Sequence, residues 1–195
     1  AKTSLSLAGD LHQKIYKRNF TWRSVGIEVV GYNTEVSPGQ WEYQVFASDP
    51  LKASDDLWMS RYLLQLSAEA YDIGINWHPK PHDGWNGSGC HVNFSTSNMR
   101  DLGGEKLFQE MMLEAEKLHT EHMGCYGTLN ERRMTGTHET ASYETFSYGV
   151  ASRGASVRIP NATAEDGWKG YAEDRRPASN CDPYRVADCV LQYTR

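Results

Sequence analysis

The sequence lacks most of the markers that place a chain in a function class at sight. No apolar run approaches membrane-spanning length, and no basic segment followed by an apolar core marks a signal peptide. There is no P-loop and no GxGxxG, which disfavours Walker-type and Rossmann-type nucleotide sites. HExxH is also missing, so a zincin-type metal site is excluded on spacing. A basic surplus is wanting too: 20 Lys and Arg stand against 25 Asp and Glu, and the net charge of -5 argues against a general nucleic-acid binder. The four cysteines (Cys90, Cys125, Cys181, Cys189) form no CxxC pair and no zinc-ligand spacing, so thiols in a reducing compartment are the expectation. Internal repeats, low-complexity tracts and linker-like breaks are absent.

What is present describes a globular chain. With 39% apolar residues, 6 Trp and 11 Tyr, disorder is disfavoured, and 195 residues suit one substantial domain. The chain starts at Ala1 rather than Met, which fits a processed or trimmed terminus. Apolar spacing predicts helices over residues 10–22, 54–72 and 104–123, and a last helix opened by Asp182-Pro183. In the second of these, Met59, Tyr62, Leu63, Leu66 and Ala70 make a continuous apolar stripe, with Ser54 or Asp55 as cap and Gly74 as stop. His119 and His122 read as ordinary helix-face residues. Strands are expected at 27–30, 41–46, 75–78, 90–95, 155–160 and 171–175, and residues 124–136 read as a long polar loop. Long helices joined to polar-faced strands, without regular βα alternation, indicate one α+β domain: an antiparallel or mixed curved sheet with helices on its outer face.

Chemistry concentrates on a few of these strands. GWNGSGCHVNFS (84–95) is a glycine-rich loop running into a strand whose His91, Asn93 and Ser95 share a face. It suits either a site or a merely wet edge strand. Glu35 and Glu42 stand near a strand start, and Glu173 and Arg175 share a strand face. The latter two form either a simple salt bridge or a metal ligand beside a phosphate clamp. His91, Glu42 (with Glu35) and Glu173 together offer hard oxygen donors and one imidazole, a set that suits magnesium or manganese rather than zinc. Arg132, Arg133, Arg153, Arg158, Arg175 and Arg176 cluster late in an acidic chain and point to a local anion site, of the kind that holds nucleotide phosphates.

Six segments carry a resemblance: GYNTEVSPGQWEYQ (31–44), DDLWMSRYLLQ (55–65), HPKP with GWNGSGCHVNFST (78–96), NERRMTGTHETAS (130–142), GVASRGASVRIP (149–160) and GYAEDRRPASNCDPY (170–184). In this order they resemble the C-terminal half of a eukaryotic-type (type II) glutamine synthetase, and they cover nearly the whole chain from about residue 10. The resemblance implies a guanido kinase-like catalytic domain with a curved, largely antiparallel sheet, incomplete at its N-terminal side and without the family's β-grasp domain. It implies Glu35 and Glu42 as ligands of one catalytic Mg2+ or Mn2+, and His91 and Glu173 as ligands of the second. Asn86, Gly87 and Arg133 become substrate residues, and Glu139 becomes the flap glutamate that accepts a proton from ammonium. Arg153 and Arg158 become nucleotide-phosphate arginines, with Arg175 reaching the transferred phosphate.

The implied reaction joins glutamate and ammonia at the expense of ATP, through γ-glutamyl phosphate, in an intracellular enzyme of the cytoplasm or plastid stroma. Some family features have no counterpart. The E-x-E strand that supplies one ligand to each metal is missing, Glu28 being misplaced for it. Phe46-Ala47 stands where Gly-Pro is usual, and His78 stands where Asp is usual. The isolated chain is therefore expected to be inactive. A homo-oligomer or a larger assembly along the uncovered sheet edge is expected, the alternative to catalysis being a structural subunit.

Overall fold

The structure, a computed structural model, describes residue 22 and residues 24–195. The first expected helix, residues 10–22, lies outside the described residues but for Trp22. The chain divides into two compact units, residues 1–76 and 77–195.

In the first unit, β1 (Glu28–Thr34) and β2 (Trp41–Phe46) form an antiparallel hairpin with Asn33 opposite Glu42 and Thr34 opposite Trp41. β1 is longer than the expected strand because the ladder continues to the turn, which Glu35 N to Gln40 O and Gln40 N to Ser37 O close at 3.0 Å each. Gly39, at φ 72, supplies the left-handed residue that this turn requires. α1 (Pro50–Glu69) starts before the expected Ser54/Asp55 cap, since Asp49 accepts Lys52 N at 2.9 Å and Pro50 sits where its missing N–H costs nothing. It ends through Asp72, which takes the left-handed conformation at φ 55, rather than through Gly74.

The apolar stripe expected on α1 is present in the sequence but is not the helix's buried face. Met59 (46%), Tyr62 (58%) and Leu66 (44%) are exposed, whereas Ser54, Asp56, Ser60, Arg61 and Ala68 are buried. The polar face is the inner one because its groups find partners. Tyr43 Oη meets Ser60 Oγ at 3.0 Å, Ser54 Oγ donates to Pro50 O at 2.8 Å, and Lys52 Nζ reaches Asp56 at 2.7 Å.

The second unit is built on a sheet of order β3–β6–β5–β4, with β3 (Val92–Phe94), β4 (Tyr148–Val150), β5 (Val157–Ile159) and β6 (Ala172–Asp174). The β3/β6 and β5/β6 pairs are antiparallel and β4/β5 is parallel. Residues 75–78, expected as a strand, form none. α2 (Ser97–Asp101), α3 (Glu105–Lys117), α4 (His119–Met123), α5 (Asn161–Glu165) and α6 (Pro183–Tyr193) complete the unit. The helix expected over 104–123 is two, broken at Leu118, where ψ rises to 1°. α6 opens as expected, with Asp182 accepting Tyr184 N at 3.1 Å ahead of Pro183.

Strand alternation gives this sheet two different faces. Val157, Ile159 and Ala172 are fully buried with Met99, Phe108, Met112 and Ala115, each large apolar side chain adding about 1.5–3 kcal/mol on burial. The opposite face carries a polar row, Asn93–Glu173–Arg158, set by the pairing register.

Asp174 points into the core and brings a charge with it. Arg176, also fully buried, donates to it from Nε at 2.9 Å and from Nη2 at 2.7 Å, while Tyr126 (2.8 Å) and Tyr193 (3.1 Å) add their hydroxyls. The guanidinium lies over the rings of Tyr126, Phe146 and Tyr193 at 5.0, 5.2 and 5.8 Å. Burial alone would raise the Asp174 pKa, but Arg176 outweighs it and holds the carboxyl below its ordinary value. His119 and His122 belong to this core and not to a helix surface, at 5% and 0% exposure. Desolvation lowers both pKa values. His119 Nε2 contacts Tyr143 O at 3.0 Å and its Nδ1 faces Arg176 Nη1 at 3.4 Å, which makes Nδ1 the acceptor and keeps the ring neutral. The loop over 124–136 is less polar in place than in sequence, since Tyr126, Asn130, Arg133 and Met134 are all buried.

Removing Arg176 leaves Asp174 charged and unpaired in the core. Arg176→Ala is expected to cost about 3–5 kcal/mol of unfolding free energy in urea titrations, and Tyr126→Phe, which leaves the other donors in place, about 1 kcal/mol.

Candidate active site

Glu173 is the centre of the polar face. It is 7% exposed and takes three cationic or imidazole neighbours: His91 Nδ1 at 3.3 Å, Arg158 Nε at 2.6 Å and Arg175 Nη1 at 3.2 Å. The register explains the meeting. Arg158 stands directly across from Glu173 on β5, His91 immediately precedes the partner strand β3, and Arg175 follows Glu173 by two residues on the same face. Burial would raise the Glu173 pKa, but the His91 hydrogen bond, the charge of protonated His91, Arg175 and Arg158 together lower it to about 2. Desolvation, opposed by the Glu173 bond, lowers the His91 pKa even though a third of the side chain is open. The two are compatible: His91 is neutral at neutral pH, where the arginines hold the carboxylate, and becomes cationic only in acid.

Arg175 extends the network. Its Nε donates to Arg153 O at 3.2 Å and its Nη2 to Glu139 O at 3.3 Å, and Arg153 Nη1 reaches Glu139 Oε1 at 3.3 Å. Glu139 is exposed at the tip of a loop closed by the Thr135–Ser142 bridge and braced by Thr140 Oγ1, which donates to Thr137 O at 2.8 Å or Arg133 O at 3.1 Å. His138 and Glu139 both hold positive φ, 52° and 60°, a conformation costing of order 1 kcal/mol or more for each non-glycine residue.

Arg133 underlies the glycine loop. It is 2% exposed, with Nε donating to Asn130 Oδ1 at 2.9 Å and Nη2 to the carbonyls of Arg176 at 2.6 Å and Arg175 at 3.1 Å. Desolvation, then the charge of Arg175, lower its pKa to about 10, leaving it a cation at neutral pH. The glycines above it permit this packing. A Cβ on Gly87 would run into Arg133 Cγ and stand 2.7 Å from Pro79 O, and one on Gly89 would stand 2.8 Å from His91 Nε2. Asn86 is partly buried in the same loop.

Of the residues singled out in the sequence, His91, Arg133, Glu139, Arg153, Arg158, Glu173 and Arg175 thus form one connected network, and Gly87 lies against it. Glu35 and Glu42 stand in the first unit, Glu42 accepting from Asn33 Nδ2 at 3.1 Å. Hairpin alternation puts Asn33, Glu35 and Glu42 on one side. Sequence reasoning missed Asn130, fully buried and bonded to both Arg133 and Arg176 O, although its i, i+3 spacing to Arg133 was a signal.

The donor set fits a divalent cation in part. His91 Nδ1 and Glu173 Oε1 are an imidazole nitrogen and a carboxylate oxygen placed side by side, as a magnesium or manganese ligand pair would be. Among the described residues no three His, Cys, Asp or Glu side chains converge on one point. Arg158 Nε, though close to Glu173, is not aligned with it and is buried with no hydrogen-bond acceptor, a donor suited to an anionic oxygen.

Acid should dismantle this face. Glu173 has a folded pKa of about 2 against an ordinary 4.5, so its stabilisation is complete above about pH 5 and is lost as pH falls toward 2. In urea titrations without divalent ions, Glu173→Gln should flatten the stability profile across that window; an unchanged profile would contradict the arrangement.

Comparisons with known proteins identify the family. Residues 3–193 match the family described as glutamine synthetase, catalytic domain. A glutamine synthetase of Hebeloma cylindrosporum is 49% identical over 170 residues, covering 87% of this chain and 48% of the relative. That of Saccharomyces cerevisiae is 52% identical over 168 residues (86% and 45%), and that of Bradyrhizobium diazoefficiens 46% over 190 residues (96% and 55%). The chain spans about half the length of the curated relatives it matches. It belongs to the glutamine synthetase family, within that family's catalytic domain.

Proposed function

We propose that this chain carries the catalytic portion of an ATP-dependent glutamate–ammonia ligase. The supporting observation is the polar sheet face, where Glu173 is gripped by His91, Arg158 and Arg175 while the Glu139 loop is tied to the same arginines. Phosphoryl transfer from ATP to the side-chain carboxylate of glutamate spreads negative charge over non-bridging oxygens, and the protein's part is to position and neutralise it. Arg158 and Arg153 hold the nucleotide phosphates, and Arg175, already fixed at Nε and Nη2, turns its remaining capacity to the transferred group. His91 and Glu173 would hold one Mg2+ or Mn2+ ion and Glu35 and Glu42 another, and such ions would supply charge neutralisation during the transfer.

Asn86 and Gly87 line the glutamate side of the site. Arg133, whose Nε and Nη2 are taken by Asn130 and the 175–176 carbonyls, presents Nη1 to the same loop. Glu139 takes a proton from ammonium, and the freed ammonia displaces phosphate from γ-glutamyl phosphate. Closure of the Glu139 loop keeps water from that intermediate.

A second reading, a non-catalytic subunit of a larger or homo-oligomeric assembly, draws on the first unit, which exposes Val30, Tyr32, Phe46, Trp58, Tyr62 and Leu66. The two readings separate on one assay, ATP- and ammonium-dependent glutamine formation from glutamate with Mg2+ or Mn2+. Ligase activity sinks the second reading. Absence of both nucleotide and manganese binding, with stable association into an unrelated complex, sinks the first.

Two substitutions sharpen it. In the assembled enzyme, Glu139→Gln should lower glutamine formation by about a hundredfold while sparing nucleotide binding, the size expected for loss of a positioned base. Gly87→Ala, through its clash with Arg133 and Pro79, should raise the KM for glutamate more than that for ATP.

A further inference from the structure

Two of the four cysteines, far apart in sequence, are brought together away from the polar sheet face. Cys125 lies in the turn after α4, its N–H donating to His122 O at 2.8 Å, and Cys189 lies on α6. Cys125 is half-buried and packs against the apolar cluster that contains Cys189, which is 3% exposed. The two thiols are near enough that Cys125 raises the pKa of Cys189. Arg185 stands four residues before Cys189 on α6, hence on the same helix face, and its Nη2 donates to Cys125 Sγ at 3.2 Å.

From this juxtaposition of a half-exposed sulfur, a guanidinium donating to it and a buried second thiol, we infer that Cys125 and Cys189 form a reversible redox pair, oxidised by a hydroperoxide to an intramolecular disulfide. The division of labour follows from the surroundings. Desolvation, then the neighbouring Cys125, pushes the Cys189 thiol up to about 12, so Cys189 keeps its proton at neutral pH. Arg185 places positive charge where negative charge develops on an attacking sulfur. Cys125, the more accessible of the two, is the nucleophile.

In the first step the Cys125 sulfur attacks an oxygen of hydrogen peroxide, the O–O bond breaks, the thiol proton passes to the departing oxygen, and the products are Cys125 sulfenic acid and water. In the second the Cys189 sulfur attacks the sulfenic sulfur, the S–O bond breaks, and the departing hydroxide takes the Cys189 proton as a second water. Two thiols are oxidised by two electrons in all, one peroxide is reduced, and an external dithiol reverses the change. The inference does not depend on the ligase reading, because none of its three residues belongs to the polar network.

The test is peptide mapping of the full chain after reduction, exposure to hydrogen peroxide at neutral pH and alkylation. A peptide pair joining Cys125 to Cys189, lighter by two hydrogens and separated again by dithiothreitol, is expected. Cys189→Ala should stop the reaction at a Cys125 sulfenic acid that dimedone traps, and Arg185→Gln should slow disulfide formation about fivefold. Because Cys189 is buried, Cys125→Ser serves as the milder control and should leave Cys189 unoxidised. Cys125 reaching sulfinic acid with Cys189 present, a disulfide through Cys90 or Cys181 instead, or full resistance of Cys125 to peroxide would each overturn the inference.

Discussion

The buried pair of Asp174 and Arg176 is the constraint on which the second unit depends. Two charges with no access to water survive there because five donors converge on the carboxylate: two guanidinium nitrogens, a backbone N–H and two tyrosine hydroxyls. Those donors come from separate elements, Tyr126 from the turn after α4 and Tyr193 from the end of α6. The pair therefore fixes where the helical layer meets the sheet.

The same strand transmits that constraint to the other face. Glu173 and Asp174 are neighbours with opposite side-chain directions, so anchoring Asp174 in the core fixes the angle at which Glu173 leaves the sheet. Arg133 reinforces this from behind, since its guanidinium binds the carbonyls of Arg175 and Arg176 while the glycine loop lies on its other side. A core ion pair, a strand and a buried arginine thus form one support for the polar network. The Glu139 loop differs in kind, an exposed tip with two left-handed residues, braced by local hydrogen bonds and tied to Arg153 and Arg175.

Much of the polar face was legible as period-two alternation. Glu173 with Arg175 and Val157 with Ile159 each fell on the expected sides, because a strand leaves the side chain no other freedom. The α1 stripe was misread because periodicity reports that a helix has two faces, without saying which one turns inward. Ser54, Asp56 and Ser60 took the inner face once partners for them were at hand. His119 and His122 were misread for a related reason: a histidine pattern says nothing about whether an arginine and an aspartate will be buried beside it.

By itself the sequence determined the strand at 41–46, the glycine loop, the capped last helix and the family, since these rest on local spacing and on segments that keep their order along the chain. Tertiary structure alone decided what touches what. It placed Arg176 in an aromatic cage, engaged Arg133 with backbone carbonyls, and set Cys125 against the cluster that holds Cys189, with Arg185 donating to the Cys125 sulfur. Such meetings follow from sheet pairing and helix packing between residues distant along the chain, and no local pattern encodes them.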